Sequence, residues 1–271
     1  MQIANDFATR RVEDLAYPCD DAPHRTRMLA RMRSIVVAAL IAACGRAAPA
    51  TEAAPAPAIA APAADAATSY AGRPIAPTMS YLGAGWLDRD DRIERERPDD
   101  VVAALHLTPG MVVADIGAGS GYFSVRLARA VGASGVVIAT DVQPEMLALV
   151  TKRMATTGLA NIEPRLVTPD DAGLAPGSID LALLVDVYHE LADPRGVMAG
   201  IRRGLRPRGR LVLVEYRGED PKVAIKPEHR MTLAQIKREL EPLGFAVVAV
   251  HEDLVDQRIV ELVRDDAPPA R

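Results

Sequence analysis

Between residues 111 and 263 the chain alternates short apolar runs with amphipathic segments, and this alternation constrains the fold more than any other feature. The apolar runs are short and rich in β-branched residues, as is typical of buried strands. Strands that alternate with helices form a parallel sheet covered on both faces. We predict strands at 111–116, 135–140, 162–167, 179–185, 210–215, 245–250 and 258–263, and helices at 121–131, 144–154, 194–205 and 232–243.

The last two predicted strands have only a short link, residues 253–257, and no helix between them. Such a link joins antiparallel neighbours, whereas a parallel pair needs a long crossover. We therefore expect an α/β fold with a central seven-stranded, mostly parallel sheet, helices on both faces and a C-terminal antiparallel hairpin at the edge. The hairpin distinguishes this arrangement from a plain dinucleotide-binding fold.

A glycine-rich turn joins the first predicted strand to its helix, and it reads Asp-Ile-Gly-Ala-Gly-Ser-Gly over residues 115–121. Open α/β sheets bind ligands at the carboxyl ends of their strands, and glycines let the backbone approach a ligand closely. The spacing is GxGxG, not the GxGxxG of the dinucleotide fingerprint. Asp115 ends the strand, where a carboxylate can meet the amino group of an amino-acid ligand.

Acidic residues follow the next two predicted strands. Asp141 closes the second strand, and an acid in that place accepts hydrogen bonds from a ribose diol. Asp170 and Asp171 lie beyond the third strand, where a carboxylate can reach an adenine amino group. The glycine turn by itself indicates only a nucleotide-like ligand. The acids after the second and third strands add expected contacts to a ribose and to an adenine.

Residues 112–128 resemble the first motif of class I S-adenosylmethionine (SAM)-dependent methyltransferases. Residues 180–186 occupy the place of a later motif, and 206–215 resemble the stretch through the fifth strand, with Arg208 where a glycine is more usual. The resemblance spans about residues 98–262 and implies a Rossmann-like class I methyltransferase fold with SAM as methyl donor. The cofactor-binding residues that it implies are Asp115, Gly117, Ala118, Gly119, Gly121, Tyr122, Asp141, Val142, Asp170, Asp171 and Asp186.

The segment after the fourth strand carries the candidate catalytic groups Tyr188, His189 and Glu190, expected beside the sulfonium methyl group. His189 is the candidate base because its ordinary pKa is near 6.5. The alternative is a histidine that bonds to backbone or carboxylate and orients the loop. His229 is a further candidate on the long segment 217–231, which we expect to cover the substrate pocket; otherwise it is a surface histidine or a helix-cap neighbour.

Several other side chains receive smaller roles. Tyr122 is expected to pack on the cofactor or on the helix start, and Tyr81 and Trp86 are candidates for a lid. His106 and His251 are expected to be structural, and the charged run at 88–96 is interpreted as a solvated helix face. No His, Asp or Glu cluster shows metal-ligand spacing along the chain, so no metal site is predicted.

Residues 28–44 have the features of a secretion signal. Arg31 and Arg33 precede the apolar run 34–43, which ends at Cys44. A bilayer span needs about 20 apolar residues, so the run is too short to span and suits a signal-peptide core. The ending resembles a bacterial lipobox, in which the cysteine is lipidated; the alternative is a stray apolar stretch in an alanine-rich chain.

The predicted organisation follows from these features. Residues 1–27 sit awkwardly before a signal and resemble an over-extended gene start, with the true initiator at Met28 or Met32. Residues 188–191 (Tyr-His-Glu-Leu) and 225–231 also resemble segments of a bacterial envelope subgroup. We expect a leader at 1–44, an Ala/Pro-rich disordered linker at 45–77, the methyltransferase domain at 78–266 and a disordered tail at 267–271.

Location and partners follow in the same way. The expected location is the periplasmic side of the envelope, anchored through a lipidated Cys44, or the cytoplasm if the leader is not processed. A net charge of −4 and 4% aromatic residues argue against a nucleic-acid partner, so we expect a small-molecule methyl acceptor. The alternatives are a non-catalytic binder of SAM or S-adenosylhomocysteine in the envelope and, disfavoured by the GxGxG spacing, an NAD-dependent oxidoreductase.

Overall fold

The computed structural model describes residues 68–266, and the predicted elements are present in it, with differences only at their ends. The strands are β1 (Ser69–Tyr70), β2 (Arg73–Pro74), β3 (Val112–Ile116), β4 (Val136–Asp141), β5 (Ile162–Leu166), β6 (Ile179–Val185), β7 (Leu205–Arg217), β8 (Arg230–Met231), β9 (Phe245–His251) and β10 (Gln257–Arg264). The helices are α1 (Arg92–Glu96), α2 (Pro98–Ala104), α3 (Tyr122–Val131), α4 (Pro144–Thr157), α5 (Pro194–Gly204) and α6 (Leu233–Leu240). Short 3-10 turns lie at Tyr81–Asp88, Tyr188–Glu190, Pro227–His229 and Glu241–Leu243.

The main sheet has the strand order β5-β4-β3-β6-β7-β10-β9. The first five of these strands pair in parallel, and β10 pairs antiparallel with both β7 and β9. The predicted C-terminal hairpin is therefore confirmed. Its second strand, β10, lies between β7 and β9, and β9 is the edge strand. The two-residue strand β8 adds to β7, which makes the sheet eight-stranded. Because β3, β4 and β6 are parallel, their carboxyl ends lie along one edge.

Both faces of the sheet are buried, each under its own set of helices. Ala182 and Leu184 of β6 pack on the side of α5 and α6, whereas Leu181 and Leu183 pack on the side of α2, α3 and α4. Successive side chains of a strand point to opposite faces, so a strand buried on both faces reads as a continuous apolar run. This accounts for the apolar run from Leu181 to Val185 of β6 and for the central position of that strand.

Residues 68–77 belong to the folded domain, which corrects the predicted linker at its C-terminal end. Arg73 is 4% exposed, and its Nε lies 3.0 Å from Glu239 Oε1 in α6. The backbone N–H of Ala76 donates to the carbonyl of His189 at 3.0 Å. The local sequence contains no signal for these contacts, because both join residues that are more than 100 positions apart along the chain. Residues 45–67, the leader at 1–44 and the tail at 267–271 lie outside the described residues.

The charged run at 88–96 is solvated only in part: most of its residues are exposed, as expected, but two of its charged side chains are buried. Arg92 and Glu96 are 5% and 3% exposed, and Arg92 Nε lies 2.5 Å from Glu96 Oε2. Arg89 also donates to Glu96, so two guanidinium groups surround one buried carboxylate. Buried charges of this kind persist when they are paired and hydrogen-bonded. Periodicity alone could not reveal the pairing, because it does not show which charged residues face inward.

Two further expectations concern residues outside the site. His251 lies 3.0 Å from Glu261 Oε1, in agreement with a structural role, and His106 is an exposed residue with φ of 49°. Among residues 68–266, no helix combines the length and apolar character needed to cross a bilayer.

Arg208 offers a test of the backbone. Its φ is 67°, a left-handed conformation that costs a non-glycine residue about 1–2 kcal/mol, and its side chain is exposed. We expect Arg208→Gly to raise the free energy of unfolding by about 0.5–1 kcal/mol, after the entropy that glycine adds to the unfolded chain. Arg208→Ala removes the same charge and keeps the strained backbone, so it is the matched control. Urea unfolding measures the free energy of unfolding of both variants. A loss of stability in Arg208→Gly would contradict the strained left-handed backbone at this position.

Candidate active site

The glycine turn between β3 and α3 has the conformation that its sequence demands. Gly117, Gly119 and Gly121 have φ of 67°, 55° and 78°, which side-chain-bearing residues rarely adopt. A Cβ on Gly117 would lie 2.7 Å from Val187 Cγ2, so the turn packs tightly against the segment after β6. The N–H of Ala118 donates to the carbonyl of Thr140 at 2.9 Å and ties the turn to β4.

Asp141 lies at the end of β4 and holds the same turn. Its Oδ2 accepts from the N–H of Gly119, and its Oδ1 accepts from the N–H of Gln143, both at 2.9 Å. Burial raises the pKa of Asp141, and hydrogen bonds from backbone N–H groups, including those of Gln143 and Gly119, partly oppose that shift. Each carboxylate oxygen has a second lone pair, so the group retains acceptor capacity for the hydroxyls of a ribose.

Asp115 is buried at the end of β3. Its Oδ2 accepts from Ser124 Oγ at 2.6 Å. Burial raises the pKa of Asp115 to about 6, against the hydrogen bond from Ser124 and together with the charge of Asp141. A cation beside Asp115 would stabilise its ionised form. Contact with the ammonium group of an amino-acid moiety, which the sequence predicts for Asp115, stays a prediction.

Two of the remaining predicted cofactor residues are exposed at this edge of the sheet, and two others contact arginine side chains. Val142 is 39% exposed beside Asp141, and Asp170 is exposed after β5. Asp171 faces α5 instead, because its Oδ1 accepts from the N–H of Gly173 at 3.1 Å and lies 3.9 Å from Arg203. Tyr122 packs at the helix start, with the guanidinium groups of Arg92 and Arg126 4.3 and 4.1 Å from its ring centre.

The 3-10 turn Tyr81–Asp88 covers the glycine turn. A Cβ on Gly119 would lie 2.7 Å from Leu87 Cδ1, and Asp88 Oδ1 accepts from Ser120 Oγ at 3.1 Å. Tyr81 and Trp86, the predicted lid residues, belong to this turn but are 41% and 50% exposed. The contacts come from Leu87 and Asp88, which sequence reasoning did not single out. A lid composed of an irregular turn has no periodic signal that would identify its inward side chains.

His189 lies in a buried cluster after β6. Its Nδ1 lies 2.6 Å from Glu215 Oε2 at the end of β7, and its Nε2 lies 3.2 Å from His229 Nδ1. Glu190 Oε1 is 3.9 Å from His189 Nε2 and 3.8 Å from His229 Nδ1. Three of the predicted catalytic residues, His189, Glu190 and His229, therefore meet in space, and His189 has the carboxylate partner of the orienting alternative.

The cluster alters the acid–base properties of its members. Burial alone would lower the pKa of His189, but the charge and hydrogen bond of Glu215, together with the charges of Asp186 and Glu190, raise that pKa. The pKa of Glu190 rises to about 7 through burial, and the charge of His189 opposes the rise. Burial and the neighbouring His189 lower the pKa of His229. The two histidines are therefore tuned in opposite directions.

Tyr188 is not a catalytic group in this structure, which corrects its assignment. It is fully buried in the core, and its hydroxyl donates to Glu239 Oε2 at 3.1 Å. Burial and the charge of Glu239 raise the pKa of Tyr188 far above its usual range, so the hydroxyl stays protonated. Successive residues of a 3-10 turn point in different directions, and Tyr188 points into the core while His189 points to Glu215.

Asp186 begins the segment after β6 with φ of 55°. Its Oδ2 accepts from Gln257 Nε2 at 2.7 Å, and its Oδ1 is buried with no hydrogen-bond partner among the described residues. Burial, with Glu96 and Glu215 nearby, raises the pKa of Asp186 to about 8. Its Oδ1 is thus a buried polar atom that can contact a ligand at this edge of the sheet.

Known proteins resemble this chain over the same region. It is 31% identical over 152 residues to the demethylmenaquinone methyltransferase of Tropheryma whipplei (strain Twist), a match that covers 56% of this chain and 60% of that protein. It is 27% identical over 154 residues to the arsenite methyltransferase of Halobacterium salinarum, covering 53% of this chain and 39% of that protein. The chain thus spans less than two thirds of the length of these curated relatives.

Solved structures agree with the fold. A SAM-dependent methyltransferase from Aquifex aeolicus superposes with a TM-score of 0.65 at 26% identity, over 68% of this chain and 98% of that one. A family described as a methyltransferase domain matches residues 107–262, the region from the end of α2 to β10 that contains the glycine turn, Asp141 and the histidine cluster. That match covers more than half of the chain, and the chain therefore belongs to this methyltransferase domain family.

Proposed function

We propose that the protein transfers a methyl group from SAM to a small-molecule acceptor. The observation that carries the proposal is the hydrogen bond from Gly119 N–H to Asp141, which fixes the glycine turn against the acid at the end of β4. The glycine turn, the Asp141 carboxylate and the buried Asp115 thus lie along one edge of the sheet. SAM supplies an electrophilic methyl group on a sulfonium when it is bound.

The chain's own residues supply binding and orientation. Asp115 receives the ammonium group, Asp141 accepts from the ribose hydroxyls, and Val142 and Asp170 lie on the adenine side. The lid Tyr81–Asp88 shields the turn from water. In-line methyl transfer depends strongly on the alignment of donor and acceptor, so positioning of this kind can supply much of the catalysis.

A small acceptor agrees with the surface and with the relatives. The chain carries a net charge of −4, which gives no electrostatic support for nucleic acid. The relatives are named for arsenite and for demethylmenaquinone, both of which are small molecules. The acceptor side of the proposed pocket is the segment after β6 together with the 3-10 turn Pro227–His229.

Asp141 tests the cofactor site. We expect Asp141→Ala to weaken SAM binding at least about tenfold, because it removes the ribose acceptor and releases the turn at Gly119. Asp171→Ala is the matched control, since that carboxylate faces Arg203 and α5 and should leave the affinity within about twofold. Calorimetry of SAM binding to each purified protein measures this. An unchanged SAM affinity in Asp141→Ala would contradict the proposed SAM site.

His229 tests the acceptor side. A panel of thiol, quinol and arsenite acceptors with methyl-labelled SAM first identifies a substrate. With that substrate we expect His229→Ala to lower kcat at least about tenfold while SAM affinity stays unchanged, because the ring lies beside His189 and away from the glycine turn. Tyr188→Phe is the control, since its hydroxyl faces Glu239. Full activity in His229→Ala would exclude the proposed pocket, and SAM binding without turnover across the panel would favour the non-catalytic alternative.

We further propose that the protein belongs to an envelope subgroup and is anchored through Cys44. The support is the sequence pattern of Arg31, Arg33, the apolar run 34–43 and the small residues before Cys44. These residues lie outside the described part of the structure. Mass spectrometry of the mature N-terminus is expected to show a diacylated Cys44 and no product of this kind in Cys44→Ser. An intact N-terminus that starts at Met1, Met28 or Met32 would contradict the anchor and favour the cytoplasmic alternative.

A further inference from the structure

We propose that His189, Glu190 and His229 form a binding site for a divalent transition-metal ion of the Zn²⁺ class. One ligand atom from each residue (His189 Nε2, Glu190 Oε1 and His229 Nδ1) lies within 4.8 Å of the other two. Two imidazoles and one carboxylate form a donor set that suits zinc and neighbouring first-row ions, whereas calcium and magnesium prefer oxygen ligands alone. The expectation of no metal site, drawn from spacing along the chain, did not foresee this cluster.

The separations fit an ion at the centre. The two imidazole nitrogens are 3.2 Å apart, and Glu190 Oε1 lies 3.8 and 3.9 Å from them. Ligands at bond lengths of about 2.0–2.1 Å in a tetrahedral site are about 3.3 Å from one another. The histidine pair already has this spacing, and Glu190 reaches it by a shift of about half an ångström, within the freedom of a glutamate side chain.

Glu215 prepares His189 to act as a ligand. Its Oε2 lies 2.6 Å from His189 Nδ1, and its Oε1 accepts from the N–H of Tyr188 at 3.0 Å. A carboxylate at Nδ1 fixes the tautomer in which Nδ1 carries the hydrogen, so that Nε2 presents its lone pair to the cluster. Carboxylates hold metal-binding histidines in this same manner. Because Glu215 is fully buried, the orientation of His189 is set before any ion arrives.

A hydrogen bond between the two histidines explains only part of this arrangement. His229 can donate to His189 Nε2 across 3.2 Å without a metal. That bond gives no role to Glu190 Oε1, which faces both rings while the other oxygen, Oε2, accepts from the N–H of Met79 at 3.3 Å. An ion between the three groups accounts for the position of all of them.

The cluster is open on one side. The His189 side chain is 2% exposed, whereas those of Glu190 and His229 are 15% and 22% exposed. Three protein ligands leave a position for water or for a bound molecule, as in catalytic zinc sites. Val187, which packs against Gly117, places the cluster next to the glycine turn. If the proposed function holds, an oxygen or sulfur atom of the acceptor would take the open position; this last step rests on that function, and metal binding does not.

Cobalt is the probe for the site. The full-length protein is freed of metal with a chelator and titrated with Co²⁺, with visible absorption as the readout, and Zn²⁺ is then added in competition. We expect one tightly bound Co²⁺ that Zn²⁺ displaces. Glu190→Gln and His229→Ala should each weaken Co²⁺ affinity at least about 100-fold, because each removes a direct ligand. Zn²⁺ should raise the Tm of the wild type and leave the Tm of both variants unchanged.

His251→Ala is the matched control, since it removes an imidazole that is 3.0 Å from a carboxylate elsewhere in the fold. It should keep the wild-type Co²⁺ affinity. Absence of Co²⁺ binding overturns the proposal, as does binding that survives both Glu190→Gln and His229→Ala, which would indicate ligands such as Cys19 or Cys44. SAM calorimetry on the same metal-free samples separates the two proposals, because SAM binding without Co²⁺ binding refutes only the metal site, and the reverse refutes only the cofactor site.

Discussion

The hydrogen bond between Gly119 N–H and the Asp141 carboxylate is the contact on which the site depends. It joins the turn after β3 to the end of the neighbouring strand β4, so that the position of one fixes the other. The left-handed glycines make the turn possible, and Val187 and Leu87 then pack where a Cβ would otherwise lie. The lid and the segment after β6 are thus positioned by the same few backbone atoms.

Buried carboxylates perform a second, related task along the same edge. Glu215 orients His189, and Asp186 contacts Gln257 of the C-terminal hairpin. Each lies at or just after the end of a strand, where a parallel sheet collects the carboxyl ends of its strands. Asp115 and Asp186 have raised pKa values because burial disfavours their charged forms. Functional sites often contain such a concentration of acids with perturbed pKa values.

The sequence predicted the strands, the helices, the hairpin and the glycine turn because each rests on local spacing or residue type. The missed features join distant parts of the chain. Arg73 pairs with Glu239, which is 166 residues away, and His229 meets His189 across 40 residues. Tyr188 and His189 are adjacent, and only the fold shows that one enters the core while the other enters the site. Local patterns therefore predicted which segments form the candidate site, and tertiary contacts show which of their side chains meet there.

Calorimetry of the wild-type chain with SAM, and separately with NAD, tests the central claim most directly. The glycine turn, Asp115 and Asp141 predict that one SAM molecule binds each chain and that NAD shows no binding under the same conditions. Binding of NAD without binding of SAM would contradict the account and return the chain to the oxidoreductase alternative.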